Sequence, residues 1–150
     1  MRPLLALFTA LLLLGSGGAV PHLRVTTQSG DVILDIPLAD DPSWYIAWNH
    51  SVTGILVKDY YRYENGQMLL TQTHTPTFDA GLGHIPGRGR LESDGDHGYW
   101  IRDIDEPVPG NRYLLRVAST RVDHRVVHGG IAYSLSERAA GQRVVVEVIE

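Results

Sequence analysis

The 150-residue sequence contains no cysteine, which excludes disulfide bonds, thiolate metal ligands and a lipid anchor attached through an N-terminal cysteine. It has a single lysine, and its 13 basic side chains are outnumbered by 17 acidic ones, giving a formal net charge of −4. No cluster of basic residues reverses this balance locally, so the surface does not attract a phosphate backbone. We therefore expect no nucleic-acid partner.

The N-terminal apolar run is too short for a membrane-spanning helix, which needs roughly 20 residues. This run, Leu4–Leu14, has 11 residues; it follows the positive charge of Arg2 and is followed by small residues that end at Ala19. That order is typical of a secretory signal peptide. We predict a signal peptide over residues 1–19 and one exported domain over 20–150, periplasmic or extracytoplasmic, with an uncleaved N-terminal tether as the alternative.

The remainder lacks any helical periodicity sustained over three turns and consists of short β-type segments separated by Gly, Pro, Asp and Asn clusters. This pattern predicts an all-β fold, a single-domain antiparallel β-sandwich or partly open barrel, with a glycine-rich loop over 81–96. The predicted strands are Leu23–Gln28, Val32–Ile36, Trp44–Ser51, Ile55–Tyr63, Met68–His74, Gly98–Asp103, Arg112–Ser119, Arg125–Val127, Ile131–Ser136 and Arg143–Ile149.

Two turns in the central part of the chain predict how three strands pair. Asn65-Gly66 is a strong two-residue hairpin signal, and Thr53-Gly54 is a second predicted turn. The first turn places Asp59 opposite Gln72 and Val57 opposite His74. The second places Trp48 opposite Asp59 and His50 opposite Val57.

In this register four polar side chains share the core face of the sheet, because side chains alternate between faces along a strand. They are His50, Asp59, Gln72 and His74. His50 and Asp59 are diagonal neighbours, which lie roughly 7–8 Å apart and within reach of each other. The cluster is interpreted either as a polar ligand pocket or proton-responsive switch, or as an internal hydrogen-bonded pair that sets the strand register.

No enzymatic chemistry, cofactor or metal site is predicted. Ser51 adjoins His50, but neighbouring strand residues point to opposite faces, and no Gly-x-Ser-x-Gly turn is present. His124 and His128 would lie about 13 Å apart along a strand, too far to share one metal ion. Arg116 is a candidate cation for a carboxylate ligand, with His50 as its partner in the site.

Several segments resemble a known family, the domain of unknown function numbered 1850. The most specific is Trp48-Asn49-His50-Ser51-Val52, followed by Asp59 with Tyr61. Leu70-Thr71-x-Thr73 and the segment Phe78-Asp79-Ala80-Gly81-Leu82-Gly83 continue the likeness. Gly129-Gly130 and Gly141-Gln142 extend it over almost the whole exported part. Where the family often has Glu, this chain has Gln72.

The resemblance implies which proteins the chain associates with, and it does not imply a chemical reaction. Members of this family typically accompany tripartite ATP-independent periplasmic (TRAP) transporters of the TAXI type, which import organic acids through a membrane subunit and a substrate-binding protein. The chain is thus expected to be an accessory component that docks on one of these subunits. The alternative is an independent domain that binds a small carboxylate. The expected binding or docking residues are His50, Ser51, Asp59, Gln72, His74, Phe78, Gly81, Leu82 and Arg116.

Overall fold

The computed structural model describes residues 18–77 and 83–150. Most of the predicted signal peptide, residues 1–17, lies outside this range, as do the candidate residues Phe78, Gly81 and Leu82. The described strands are β1 (His22–Thr27), β2 (Val32–Pro37), β3 (Ser43–Asn49), β4 (Leu56–Glu64), β5 (Gln67–Thr75), β6 (Arg90–Ser93), β7 (Tyr99–Arg102), β8 (Glu106–Pro107), β9 (Arg112–Arg116), β10 (Arg125–His128), β11 (Ile131–Ser134) and β12 (Arg143–Ile149). One short helix, α1 (Ser136–Ala139), and two 3₁₀ turns, Gly95–His97 and Pro109–Asn111, accompany them.

The strands form two antiparallel sheets, which confirms the all-β prediction, and they do not close into a barrel. The small sheet has the order β2-β1-β12-β9, with the first and last strands of the domain paired at its centre. The large sheet has the order β11-β10-β3-β4-β5-β7-β6, and β8 pairs with β5 beside β7.

The hydrophobic core lies between the two sheets. Alternation along β12 directs Val144, Val146 and Val148 inward, and β1 contributes Leu23 and Val25 from the same sheet. The large sheet supplies the opposing apolar side chains, among them Trp44, Ile46, Met68 and Val126. Each fully buried aliphatic side chain stabilises the fold by about 1.5–3 kcal/mol relative to an exposed one.

Two strands form where the sequence predicts no strand. β6 lies inside the predicted 81–96 loop, where it pairs with β7, and β8 adds two residues beside β5. Both are short, and neither contributes a buried side chain, so they lack the hydrophobic alternation by which a strand is recognised. Pairing with a neighbour therefore places them in the sheet.

Candidate functional site

The β4–β5 hairpin begins in the predicted register. Asn65 and Gly66 have φ values of 52° and 78°, the left-handed conformation that a two-residue hairpin turn requires. Glu64 consequently pairs with Gln67, as predicted. The register is maintained as far as the pairing of Tyr61 with Leu70.

A bulge then changes the rest of the hairpin. The register shifts between Tyr60 and Tyr61, so that Asp59 pairs with Thr73 and Lys58 with His74. The predicted pairing of Asp59 with Gln72, and that of Val57 with His74, are therefore wrong. A bulge places two residues of one strand opposite one of its partner, and the side chains beyond it change sides relative to an unbulged ladder. Gln72 and His74 consequently leave the face that Asp59 occupies.

The predicted turn at Thr53-Gly54 is also wrong, because a longer loop joins β3 to β4. The His50 amide donates to the Ile55 carbonyl at 2.7 Å, and Trp48 pairs with Val57 instead of Asp59. The His50 Nδ1 atom lies 3.1 Å from the Thr53 hydroxyl within this loop. His50 is thus not a diagonal neighbour of Asp59, and Ser51 is exposed beside it.

Three candidate residues lie on two other surfaces. Gln72 accepts a hydrogen bond from Arg102 at 3.0 Å, and the His74 ring lies 4.5 Å from the Trp100 ring, both on the outer face of the large sheet. Arg116 is exposed on β9 of the small sheet, where it pairs with Arg143. The structure therefore does not bring Arg116 and His50 together.

Asp59 instead faces the space between the sheets. Its Oδ1 atom accepts a hydrogen bond from the Thr73 hydroxyl at 2.6 Å, and the side chain lines two adjoining cavities of about 280 and 110 Å³. Burial raises the pKa of the Asp59 carboxyl above its ordinary value, although the Thr73 hydrogen bond and the Arg88 charge oppose this. A carboxylate in this position is more costly to ionise than one in water.

Tyr61 and Tyr113 line both cavities together with Asp59. Their rings stack with centroids 5.4 Å apart, and Tyr61 also stacks on Trp44 at 5.8 Å. The Tyr113 hydroxyl is shielded from solvent and makes no hydrogen bond of normal geometry within the described residues, although the Tyr61 hydroxyl lies near enough to affect its pKa. Burial raises its pKa well above the ordinary value. An unpaired buried hydroxyl costs roughly 1–3 kcal/mol, so a ligand that pairs with it would recover part of that cost.

Arg88 and Glu106 border the larger of the two cavities. The Arg88 Nε atom lies 2.5 Å from a Glu106 carboxylate oxygen, which makes an ion pair at the solvent-facing side. Pro107, Val108 and Pro109 line the same cavity and make that wall mostly apolar. The guanidinium is thus already engaged by one carboxylate.

His124 lines the smaller cavity together with Trp48, on which its ring stacks at 5.9 Å. Its Nδ1 atom accepts a hydrogen bond from the Ala118 amide at 3.1 Å, which assigns the proton of the neutral ring to Nε2. Burial lowers the His124 pKa. The ring therefore contributes a neutral polar group to the cavity at neutral pH.

We call the two adjoining cavities, with Asp59, Tyr61 and Tyr113 as their shared wall, the inter-sheet cavity.

A family model described as a domain of unknown function, DUF1850, matches residues 45–135, more than half of the chain. The chain belongs to the DUF1850 family. No curated protein and no solved structure was found to match it. The DUF1850 match runs from β3 to the end of β11 and so contains every residue that lines the inter-sheet cavity, while β1, β2 and β12 of the small sheet lie outside it.

Four cavity residues of this DUF1850 chain are missed when the sequence is read alone: Arg88, Glu106, Tyr113 and His124. Arg88 and Glu106 lie in stretches that lack the alternation of apolar and polar residues typical of a strand. The neighbouring sequence therefore does not indicate that their side chains border a cavity. Tyr113 and Leu115 lie two positions apart on a predicted strand and therefore on the same face of it. This spacing was the one sequence signal that could have placed Tyr113 on the core side. His124 stands out only as a possible metal ligand together with His128.

Within the described residues, no group of three or more His, Asp or Glu side chains is arranged to hold a metal ion. The described helices of this DUF1850 chain include none with the length and apolar character needed to cross a bilayer.

The outer face of the large sheet carries a second distinctive feature, a row of rings in tilted contact that we call the aromatic strip: Tyr45, Tyr60, Trp100 and His74. Ring centroids are 5.0 Å apart for Tyr45 and Tyr60, and 5.5 Å apart for Tyr60 and Trp100. Two cations lie over rings of the strip, with the Lys58 Nζ atom 5.7 Å from the Tyr45 ring centre and the Arg102 Cζ atom 4.2 Å from that of Trp100. A groove of about 370 Å³ lies alongside Tyr45 and Tyr60.

Proposed function

We propose that this protein is an extracytoplasmic accessory component of a TAXI-type TRAP transporter, and that it docks through the aromatic strip. Its partner is the membrane subunit or the substrate-binding protein of the transporter. The observation that carries the proposal is the strip itself. Half-buried Tyr, Trp and Arg side chains in one contiguous patch have the composition of a protein interface, where these residue types supply most of the binding energy.

Three further observations support this function. The resemblance found in the sequence implies an association with TAXI-type transporters, and the aromatic strip lies within the matched DUF1850 region. The N-terminal pattern over residues 1–19 favours export to the compartment in which such transporters bind their substrates. The groove beside Tyr45 and Tyr60 offers a place into which a partner side chain can insert.

Docking is tested by crosslinking the tagged full-length protein in native membranes, followed by affinity capture and mass spectrometry. We expect recovery of the transporter's membrane subunit or binding protein. The same strain serves for an uptake assay with labelled organic acids. Recovery of neither subunit, in a strain in which the transporter is produced, would contradict the proposal.

Tyr60→Ala removes the central ring of the strip and is expected to lower subunit recovery strongly. A central interface aromatic contributes about 2 kcal/mol or more, which corresponds to roughly a 30-fold loss of affinity. Leu114→Ala is the matched control, because Leu114 is an exposed side chain on the small sheet, remote from the strip. A Tyr60→Ala protein that is exported and folded could still give subunit recovery and organic-acid uptake equal to those of the wild type. That result would assign docking to another surface.

A further inference from the structure

The inter-sheet cavity has an unbalanced charge. Two carboxylates line it, those of Asp59 and Glu106, and one guanidinium, that of Arg88. Arg88 is paired with Glu106, so the Asp59 carboxylate has no ionic partner in direct contact among the residues described. His124 adds no positive charge because its Nδ1 atom is occupied as an acceptor and burial opposes protonation. The remaining charge of the cavity is therefore negative.

One carboxylate oxygen of Asp59 accepts no hydrogen bond from the described residues. Its Oδ1 atom accepts the Thr73 hydroxyl, whereas no described group donates to Oδ2. Because Asp59 lines the cavity, a ligand there that carries N–H donors can pair with this oxygen.

The other walls suit the same chemistry. The rings of Tyr113 and Trp48 line the cavity, and aromatic rings attract organic cations through their negative faces. The Tyr113 hydroxyl makes no hydrogen bond of normal geometry within the described chain, and its oxygen can accept from a ligand N–H group even with the Tyr61 hydroxyl nearby. An apolar stretch over Pro107, Val108 and Pro109 accommodates a hydrocarbon part.

We propose that the inter-sheet cavity binds a small organic cation, a protonated amine, with Asp59 as its counter-ion and the Tyr113 hydroxyl as a hydrogen-bond acceptor. This site differs from the one predicted from sequence, which held a carboxylate between His50 and Arg116. It is also independent of the docking function, since the cavity lies on the inner side of β4 and the aromatic strip on its outer side.

The ligand class is tested by calorimetric titration of the purified full-length protein at neutral pH. Butylamine and benzylamine are compared with uncharged matches, butanol and benzyl alcohol, and with anionic ones, butyrate and benzoate. We expect each amine to bind at least about tenfold more tightly than its alcohol, a difference typical of one satisfied charge in a partly buried site. Equal affinities for amine and alcohol, tighter binding of the acids, or no saturable binding of either amine would overturn the proposal.

Two variants test the assigned residues. Asp59→Asn keeps an oxygen that accepts from Thr73 but removes the charge, so the advantage of amines over alcohols should disappear. Asp35→Asn is the control, because this carboxylate pairs with Arg24 and His22 on the outside of the small sheet, and it should bind amines as the wild type does. Unchanged amine affinity in Asp59→Asn would refute Asp59 as the counter-ion.

Tyr113→Phe deletes the hydroxyl without breaking any hydrogen bond of normal geometry within the described chain and keeps the ring stacked on Tyr61, so the variant should fold normally. We expect its amine affinity to fall by roughly threefold to tenfold, the range for one hydrogen bond in a protected site. Affinity equal to that of the wild type would refute the role of this hydroxyl. Subunit recovery in the crosslinking experiment should be unaffected by either cavity variant, which separates this result from the test of docking.

Discussion

At the scale of single residues, the surroundings of two aspartates shift their carboxyl pKa values in opposite directions. Burial raises the pKa of Asp59, so the folded protein binds this proton more tightly than the unfolded chain does. The hydrogen bond to His22, assisted by Arg24, lowers the pKa of Asp35, so the folded protein favours its ionised form. Asp59 therefore opposes folding once it ionises, while Asp35 supports folding once it ionises.

Asn substitutions at these positions should consequently change stability in opposite directions as the pH rises. Asp59→Asn should match the wild type below the ordinary carboxyl pKa of 3.8 and become more stable than it as the pH rises through the raised pKa of Asp59. Asp35→Asn should be the less stable protein at neutral pH, and its deficit should vanish as the pH falls through the lowered pKa of Asp35. Urea unfolding at several pH values measures both, and parallel pH profiles for the two variants would contradict these assignments.

At the scale of elements, the approach of β5 to β7 depends on Gly98. This buried residue precedes β7 with φ at 121°, and a Cβ built there would lie 2.4 Å from the Thr75 carbonyl oxygen and 2.5 Å from the Pro76 Cα. Backbone atoms cannot move aside as a flexible side chain can. The pairing of Thr75 with Tyr99 thus requires glycine at this position.

Gly98→Ala should destabilise the protein by more than about 2 kcal/mol, because a steric clash with backbone adds to the strain of a positive φ. Gly141→Ala is the control, since Gly141 also has a positive φ of 80° but its added Cβ would meet nothing within 4 Å. Its cost should stay near 1–2 kcal/mol, the backbone strain alone. Thermal unfolding of both variants gives the comparison, and equal losses would show that the contact at Gly98 relaxes.

At the scale of the whole molecule, the small sheet joins β1 and β2 from the start of the described chain to β9 and β12 from its later part. β12 lies between β1 and β9, and it buries Val144, Val146 and Val148. β1 and β9 are joined only through β12, so the four-stranded sheet is complete only when the last strand is in place. The large sheet provides the rest of the core but cannot cover its own inner face.

Truncation after residue 142 should therefore abolish cooperative unfolding. The three buried valines alone contribute about 1.5–3 kcal/mol each, a sum comparable with the 5–15 kcal/mol of a typical domain. Removal of Glu150 alone is the control, since among the described residues its side chain makes one hydrogen bond, which it accepts from Tyr63 at 2.8 Å. Circular dichroism melting curves distinguish the two chains, and a cooperative transition in the longer truncation would show that the large sheet folds independently.

The sequence by itself determined the all-β class, most of the strands and the turn at Asn65-Gly66, because alternation and the need for positive φ are local properties that a short segment displays. It also carried the resemblance to the DUF1850 family. The same local rules correctly predicted the first pairs of the β4–β5 hairpin, up to Tyr61 with Leu70.

Only the tertiary structure decided which polar residues share a site. One bulge beside Tyr60 and one longer loop after His50 moved Gln72, His74 and His50 away from Asp59, and neither feature has a sequence pattern that predicts it. The neighbours that Asp59 acquired instead, Arg88 and Tyr113, are distant in sequence and meet it only because a loop and the opposing sheet close over the inner face of β4. Packing between sheets brings distant residues together, whereas sequence patterns report only which side of its own strand each residue takes.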